Sequence, residues 1–380
     1  MDFSLSKEQQ DIQKAARKFA LGEFPERAME FDREEKFDLN IWRRACELGF
    51  VGVFIDPAYD GAGYGFFEHC LINEEFWAVD PGIASAVLSA TFGAELISRF
   101  GTDEQKSDTL PRLVNGQAIM GTAITEADAG CDVTGAITTA AKEGDHWVLN
   151  GTKMFATNGT IADFMLIFCR TDPENPDRHR RFSFFLVPTD TAGFTATKIH
   201  GKMGIRASDT AELALDNVRV PEANLVGKAG EGFYELMFFF NHTRLHICAQ
   251  AVGLARAALE ESIRHTRQRK QFGAPLASFQ VTQFKLAEMA THIRAARNLY
   301  WEAAWKADQG DPDHALVAMA KWYSAKVAVQ CADEALQMHG GYGYIDEYKV
   351  QRLYRDAKIL EIYEGTKEIE KTIVAKSLLG

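Results

Sequence analysis

The sequence predicts an α+β chain in three parts: an N-terminal helical domain over residues 1–118, a middle β domain over 119–229 and a C-terminal helical bundle over 230–380. Three observations carry this reading. Apolar residues recur at helical spacing through the first third. Several short β-rich runs then follow one another with no helical period between them, and from Gly230 onward helical spacing returns and persists. At roughly 150 residues per domain, 380 residues with 46% hydrophobic content suffice for two or three cores.

In the first part, Ser6 with Gln9 forms a capping-box pattern, and Ile12, Ala15, Ala16 and Phe19 share one face of the helix it opens. Residues 41–49, 65–79 and 83–100 read as further helices, punctuated by Pro57, the Gly61/Gly63/Gly65 cluster and Pro81-Gly82. In the middle part, residues 147–151 end in a turn signal, and 164–170, 181–187 and 211–220 read as strands. Such a succession predicts an antiparallel barrel or sandwich, with the charged loop 172–180 and its two prolines on the surface. In the last part, residues 233–267, 279–309 and 313–339 carry apolar residues at i, i+3, i+4 spacing. Three long helices with short connections predict an antiparallel bundle.

Composition narrows the function. The formal charge is −11 with Lys and Arg scattered, which argues against a nucleic-acid or anionic-membrane partner. No apolar run approaches the ~18 residues that a membrane span needs. Met1-Asp2-Phe3-Ser4 lacks the layout of a targeting segment, so a cytoplasmic protein is expected. Cys46, Cys70, Cys131, Cys169, Cys248 and Cys331 are widely separated, without CxxC spacing or a Cys/His cluster. Neither a metal site nor a disulfide framework is expected.

Several loops could carry chemistry. Ile124-Thr125-Glu126-Ala127-Asp128-Ala129-Gly130-Cys131-Asp132 and Asn158-Gly159-Thr160 offer hydroxyls and exposed backbone N–H groups, which suit a flavin edge or a phosphate and equally suit an ordinary turn. No GxGxxG follows a strand, so the Rossmann fingerprint is absent. Gly340-Gly341 closes a long helix, where a C-terminal cap is the default role.

Taken together, these segments resemble the acyl-CoA dehydrogenase family. Residues 124–133 resemble its TEPGAGSD stretch. Asn150-Gly151-Thr152-Lys153-Met154-Phe155-Ala156-Thr157-Asn158-Gly159 resembles its NGxKxWITNG stretch. Further signatures are matched by Lys202-Met203-Gly204-Ile205-Arg206-Ala207-Ser208-Asp209-Thr210, Arg269-Lys270-Gln271-Phe272-Gly273, Gln337-Met338-His339-Gly340-Gly341-Tyr342-Gly343 and Ile362-Tyr363-Glu364-Gly365-Thr366. Six motifs in family order, spread over the chain, are specific where one alone would not be. The resemblance implies an N-terminal helical domain, a middle β domain and a C-terminal four-helix bundle.

It also implies residue roles. Glu364 matches the catalytic base, although a Glu in such a loop also suits a helix start. Some family branches place the base just before the Arg that Arg244 resembles; that position is Thr243, which cannot act as a carboxylate. The implied cofactor is FAD, with Ile124, Thr125, Phe155 and Thr157 at the isoalloxazine and Thr366 and Glu368 at further contacts. Phe155 stands where relatives often have Trp. Arg269 resembles the partner of the FAD pyrophosphate, a role suited to a planar fork of donors. Gln271, Phe272, Gln337, Gly340 and Gly341 look like the segments that hold the adenylate half from a neighbouring subunit, so a homo-oligomer, a tetramer by resemblance, is implied. For the CoA arm, Cys131, Ser208, Asn241 and Arg244 match contact positions or their supports. Cys131 replaces the usual Ser, and Ala127-Asp128 replaces the usual Pro-Gly.

The implied reaction is α,β-dehydrogenation of an acyl-CoA. Glu364 takes the α-proton, the β-hydride passes to flavin N5, and electrons leave to an electron-transfer flavoprotein. Residues 83–100, with Thr91 and Glu95 among them, and the aromatic stretch 238–240 are expected to line the acyl pocket. No Arg stands at 90–92, which disfavours a dicarboxylic substrate. A branched or alicyclic acyl group such as cyclohexanecarboxyl-CoA is preferred over a straight short or medium chain. An oxidase on the same fold, or a non-catalytic flavoprotein scaffold, are the competing readings.

Overall fold

A computed structural model describes residues 4–380; the Met1–Phe3 stretch read above for a targeting signal lies outside them. The first part is helical: α1 (Lys7–Glu23), α2 (Pro25–Glu34), α3 (Leu39–Glu47), α4 (Phe66–Trp77), α5 (Pro81–Leu88), α6 (Ala94–Phe100) and α7 (Asp103–Val114). The capping box read from Ser6 and Gln9 forms, with Gln9 N donating to Ser6 Oγ at 3.1 Å and Ser6 N to Gln9 Oε1 at 2.9 Å.

The single helix expected over 83–100 is two. Gly93 (φ 117°) stands in a left-handed conformation that favours glycine. The break lets Ala90 O accept from Met120 N at 2.8 Å and Thr91 pair with Met120, so the connection between α5 and α6 joins the edge of the sheet.

Next come β1 (Met120–Ala123), β2 (Thr139–Glu143), β3 (His146–Thr157), β4 (Phe164–Arg170), β5 (Phe182–Pro188), β6 (Phe194–Lys198), β7 (Thr210–Pro221) and β8 (Leu225–Val226). They form one eight-stranded sheet in the order β6-β7-β3-β2-β4-β5-β8, with β1 beside β4. Antiparallel pairing dominates as expected, but β1 and β2 each meet β4 in parallel, so the sheet is mixed. β4 and β5 are buried on both faces, which explains their unbroken apolar runs.

The last part holds α8 (Gly232–Gln268), a two-stranded ribbon of β9 (Lys270–Gln271) and β10 (Ala274–Pro275), then α9 (Gln280–Asp308), α10 (His314–His339), α11 (Lys349–Ala357) and α12 (Lys367–Leu379). The long helices α8, α9 and α10 pack on one another, and α12 packs on α10. Glu74 on α4 ties the two helical parts together. Its buried carboxylate pairs with Arg256 on α8 at 2.5 Å and with Arg297 on α9 at 2.6 Å, and accepts from the Tyr300 hydroxyl at 2.5 Å. Among the described residues, no helix is long and apolar enough to cross a membrane.

Candidate active site

The loop between α11 and α12 presents Glu364 with a left-handed backbone (φ 54°), a conformation that a non-glycine residue keeps only when its surroundings enforce it. Three neighbours do so. Thr243 on α8 donates its hydroxyl to Glu364 Oε2 at 2.5 Å, and Arg244 Nε donates to the Glu364 carbonyl at 3.1 Å. Lys321 on α10, fully buried, donates to the Tyr363 carbonyl at 2.8 Å and also to that of Gly365. The base candidate is thus held from both flanking peptides.

A second carboxylate completes the charge balance. Glu370, one turn into α12, is fully buried and pairs with Arg244 at 2.9 Å. A side chain at Gly365 (φ 106°) would collide with that carboxylate, so this glycine is required by close approach as well as by conformation. Burial raises Glu364 above the ordinary carboxylate range, opposed by the Thr243 hydrogen bond and the charges of Arg244 and Lys321. Burial likewise raises the Glu370 carboxyl and lowers the Lys321 ammonium, so each is disfavoured in its charged form. The arrangement favours proton uptake by Glu364 more than a solvated glutamate would.

The loop carrying Ile124 and Thr125 is pinned to β3. Lys153, fully buried, donates to the Ile124 carbonyl at 3.1 Å and pairs with Glu126 at 2.8 Å. Glu126 accepts from Ile137 N at 2.7 Å and Thr138 N at 3.0 Å, and Met154 N donates to Thr125 O at 2.8 Å. The β3–β7 register slips between Lys153 and Ala156. Phe155 lies in this irregular stretch, left-handed (φ 59°), with 63% of its surface exposed. An exposed aromatic face held on a bulge beside Thr125 and Thr157 fits a flat apolar ring system. Cys131 Sγ lies 3.7 Å from Thr366 Oγ1, bringing the end of this loop to the segment that carries Glu364; Thr366 also caps α12. Glu368 is exposed on the first turn of α12.

Arg269, Gln271, Gln337, Gly340 and Gly341 come together elsewhere, lining a cavity of about 530 Å³ between the ends of α8 and α10. Arg269 lies over the Tyr342 ring at 5.4 Å. Phe272, at the tip of the β9–β10 ribbon, is 97% exposed. This cluster is distant from Glu364. Arg269 follows Arg244 by 25 residues along α8, roughly 37 Å at about 1.5 Å per residue. An arginine fork, a polar amide and a cradle with two glycines fit a phosphate-bearing cofactor end.

Of the residues expected at the CoA arm, Cys131 is exposed, Asn241 is half-buried and donates to Met237 O at 2.8 Å, and Arg244 is buried. Ser208 is buried, and so is Thr91, which was expected at the acyl pocket. The Ser208 carbonyl accepts from Lys202 at 2.5 Å, and the Thr91 carbonyl accepts from Ala94 N at 2.8 Å. Sequence reasoning missed Lys321, Glu370 and the Lys153–Glu126 pair. The available signal was a charged residue on an otherwise apolar helical stripe, as at Lys321 among Ala318, Ala320 and Ala325, since such charges are retained only when paired.

A half-buried carboxylate held by α8 and α10, and a loop carrying an exposed aromatic on a bulge, suit an enzyme of the acid–base type with a flat ring cofactor. Comparison with known proteins places it further. The acyl-CoA dehydrogenase N-terminal, middle and C-terminal domain families match residues 6–117, 121–218 and 230–379. The probable acyl-CoA dehydrogenase YngJ of Bacillus subtilis is 39% identical over the whole of both chains. Butyryl-CoA dehydrogenase from Megasphaera elsdenii superposes with a TM-score of 0.96 at 38% identity, covering all of both chains. A glutaryl-CoA dehydrogenase from Mycobacterium smegmatis, solved in complex with FADH2, superposes with a TM-score of 0.93 at 33% identity, over 99% of this chain and 95% of that one. The chain belongs to the acyl-CoA dehydrogenase family of FAD-dependent oxidoreductases.

Proposed function

We propose that this chain dehydrogenates an acyl-CoA with Glu364 as the base that removes the α-proton. The observation that carries the reading is the hold on Glu364. Its Oε2 sits on the Thr243 hydroxyl, and both neighbouring carbonyls are tied to Lys321, so the carboxylate is aimed before substrate arrives. Its raised pKa matches it to an acid as weak as a thioester α-carbon better than a solvated glutamate would be. The Glu364 backbone N–H would polarise the thioester carbonyl, the role of an oxyanion donor.

Ile124, Thr125, Phe155, Thr157, Thr366 and Glu368 would hold the isoalloxazine side of FAD. Arg269, Gln271, Phe272, Gln337, Gly340 and Gly341 would hold the adenylate side of a neighbouring subunit's FAD, in a homotetramer. When bound, FAD supplies the hydride acceptor. Cys131, Ser208, Asn241, Arg244 and Thr91 would contact or support the acyl-CoA. An electron-transfer flavoprotein would take the electrons, and the six unpaired cysteines suit a reducing cytoplasm.

The acyl group is compact, branched or alicyclic, of the cyclohexanecarboxyl type. Phe239 packs 5.1 Å from Phe92 within the core, and if its neighbours Phe238 and Phe240 narrow the acyl pocket, they would favour a short, thick group over a long thread. A short straight chain is the second reading, favoured by the similarity to the Megasphaera elsdenii enzyme. Anaerobic titration of the flavoprotein with straight, branched and alicyclic acyl-CoAs tests both: bleaching of the flavin band by one class identifies it. Glu364→Gln should retain the cofactor and acyl-CoA binding and lose bleaching by at least about a thousandfold in rate. Retained turnover in that variant overturns the assignment.

A further inference from the structure

A cluster of polar side chains is buried behind Glu364, where an acyl-CoA dehydrogenase has no chemistry to perform. Glu95, on the first turn of α6, is buried, and its Oε1 lies 3.9 Å from His246 Nδ1. Its other oxygen accepts from Gly93 N, at 3.2 Å. His246 is on α8 one turn beyond Thr243, the residue that bonds the base, and Glu95 feels the charge of Glu364. The ring of His69 lies 4.2 Å from that of His246. His69 Nδ1 and His246 Nε2 are both buried without a hydrogen-bond partner. Phe54 and Phe66 enclose the imidazoles, Phe54 edge-on to His69 at 5.4 Å and Phe66 against His246 at 5.9 Å.

A pocket that merely holds hydrocarbon would be more stable with apolar side chains at these positions. Each buried, unpaired polar atom costs about 1–3 kcal/mol. Burial lifts Glu95 to about 7 and lowers His69 to about 4, so the protein keeps groups whose charged forms it disfavours. Buried polar atoms left without partners call for an explanation, and a ligand that supplies the missing bonds provides one.

We infer that Glu95 and His246, backed by His69, form the distal subsite of the acyl pocket and select an acyl group whose far end carries a hydrogen-bond donor, a hydroxyl or an N–H. The inference rests on the acyl-CoA reading above and deepens it. Glu95 accepts the donor, and the neutral imidazoles accept or relay a second bond. A terminal carboxylate is disfavoured, because burial keeps His69 and His246 neutral and leaves no cation in the cluster to pair with it. The subsite narrows the compact acyl groups to those with a polar tip, such as a 4-hydroxylated ring or chain.

Binding separates this claim from the catalytic one. The FAD-loaded protein is titrated calorimetrically with non-reacting CoA thioethers in two matched pairs: butyl against 4-hydroxybutyl, and cyclohexylmethyl against its 4-hydroxylated form. The hydroxylated member of at least one pair should bind at least about tenfold tighter. In Glu95→Met that preference should fall to within about twofold, while Glu95→Gln, which retains an acceptor, should keep most of it. Equal or weaker binding of both hydroxylated thioethers by the unaltered protein overturns the inference, and so does a preference that survives Glu95→Met. Bleaching by the corresponding thioesters is read separately. Its failure with the preference intact would remove the dehydrogenase reading and leave the subsite standing.

Discussion

Thr243 cannot be a base, yet it would set the working range of the proposed one. Its hydroxyl donates to Glu364 Oε2 and so favours the carboxylate over the acid, opposing burial, the largest influence on the group. Removing the donor in Thr243→Val must raise the Glu364 pKa further. Since only the deprotonated form can accept the α-proton, the acid limb of a kcat/KM profile should move to higher pH. Activity should fall more at pH 6 than at pH 8. An acid limb that stays in place would show that the hydrogen bond orients Glu364 without tuning it. Glu95 gives the opposite lesson in stability. Its folded pKa, lifted to about 7, lies above the ordinary value of 4.5, so the group stabilises the fold below about 4.5 and that contribution is lost as pH rises through 7. Glu95→Met should therefore raise the Tm at pH 8 relative to the unaltered protein, with a smaller gain at pH 5. A lower Tm at pH 8 would mean that the carboxylate has a partner there.

At the scale of elements, the bulge in β3 and the loop it supports form one unit through the Lys153–Glu126 pair. Both side chains are buried, so breaking the pair leaves Glu126 as an uncompensated charge, a loss of about 3–5 kcal/mol. Lys153→Met should lower the Tm accordingly, and it should also release the Ile124 carbonyl and loosen the proposed flavin-facing loop. Weaker FAD retention on gel filtration is expected, and rescue of stability without rescue of FAD in Lys153→Met/Glu126→Gln would separate the two effects. Elements differ in how openly the sequence declares them. α8, α9 and α10 run for 37, 29 and 26 residues, long enough for a 3.6-residue period to stand above noise. β2 and β6 were not foreseen, because their five residues are largely solvated and carry little apolar signal. The break at Gly93 was hidden for the opposite reason: α5 is buried on every side, so its apolar run continues into the turn without a change of pattern. The site shows the same limit. Family motifs marked Glu364, but its supports Arg244, Thr243 and Lys321 lie far from it along the chain, where no local pattern links them to it.

Across the whole molecule, the residues matched to FAD fall into two groups, which under the proposed reading would serve two different cofactors. α8 separates the Arg269 cluster from the Glu364 loop by roughly 37 Å at about 1.5 Å per residue, more than a dinucleotide can bridge. The Arg269 side also carries the apolar surface that a lone chain should not show. Phe272 is 97% exposed in a left-handed turn, and Val281 and Phe284 on α9 are exposed nearby in sequence. A second copy that covers this surface would also bring Arg269, Gln337 and the Gly340-Gly341 cradle to its neighbour's cofactor, which couples assembly to FAD binding. Phe272→Asp places a charge where the neighbour would bury a ring, without touching the Glu364 loop. Light scattering should show a smaller assembly, and the separated species should carry less flavin absorbance per chain. Added FAD should shift the population back toward the larger form, because a ligand held between subunits stabilises their association. If Phe272→Asp dissociates the assembly and each released chain keeps a full equivalent of FAD, the site is complete within one chain and the shared-cofactor arrangement is wrong.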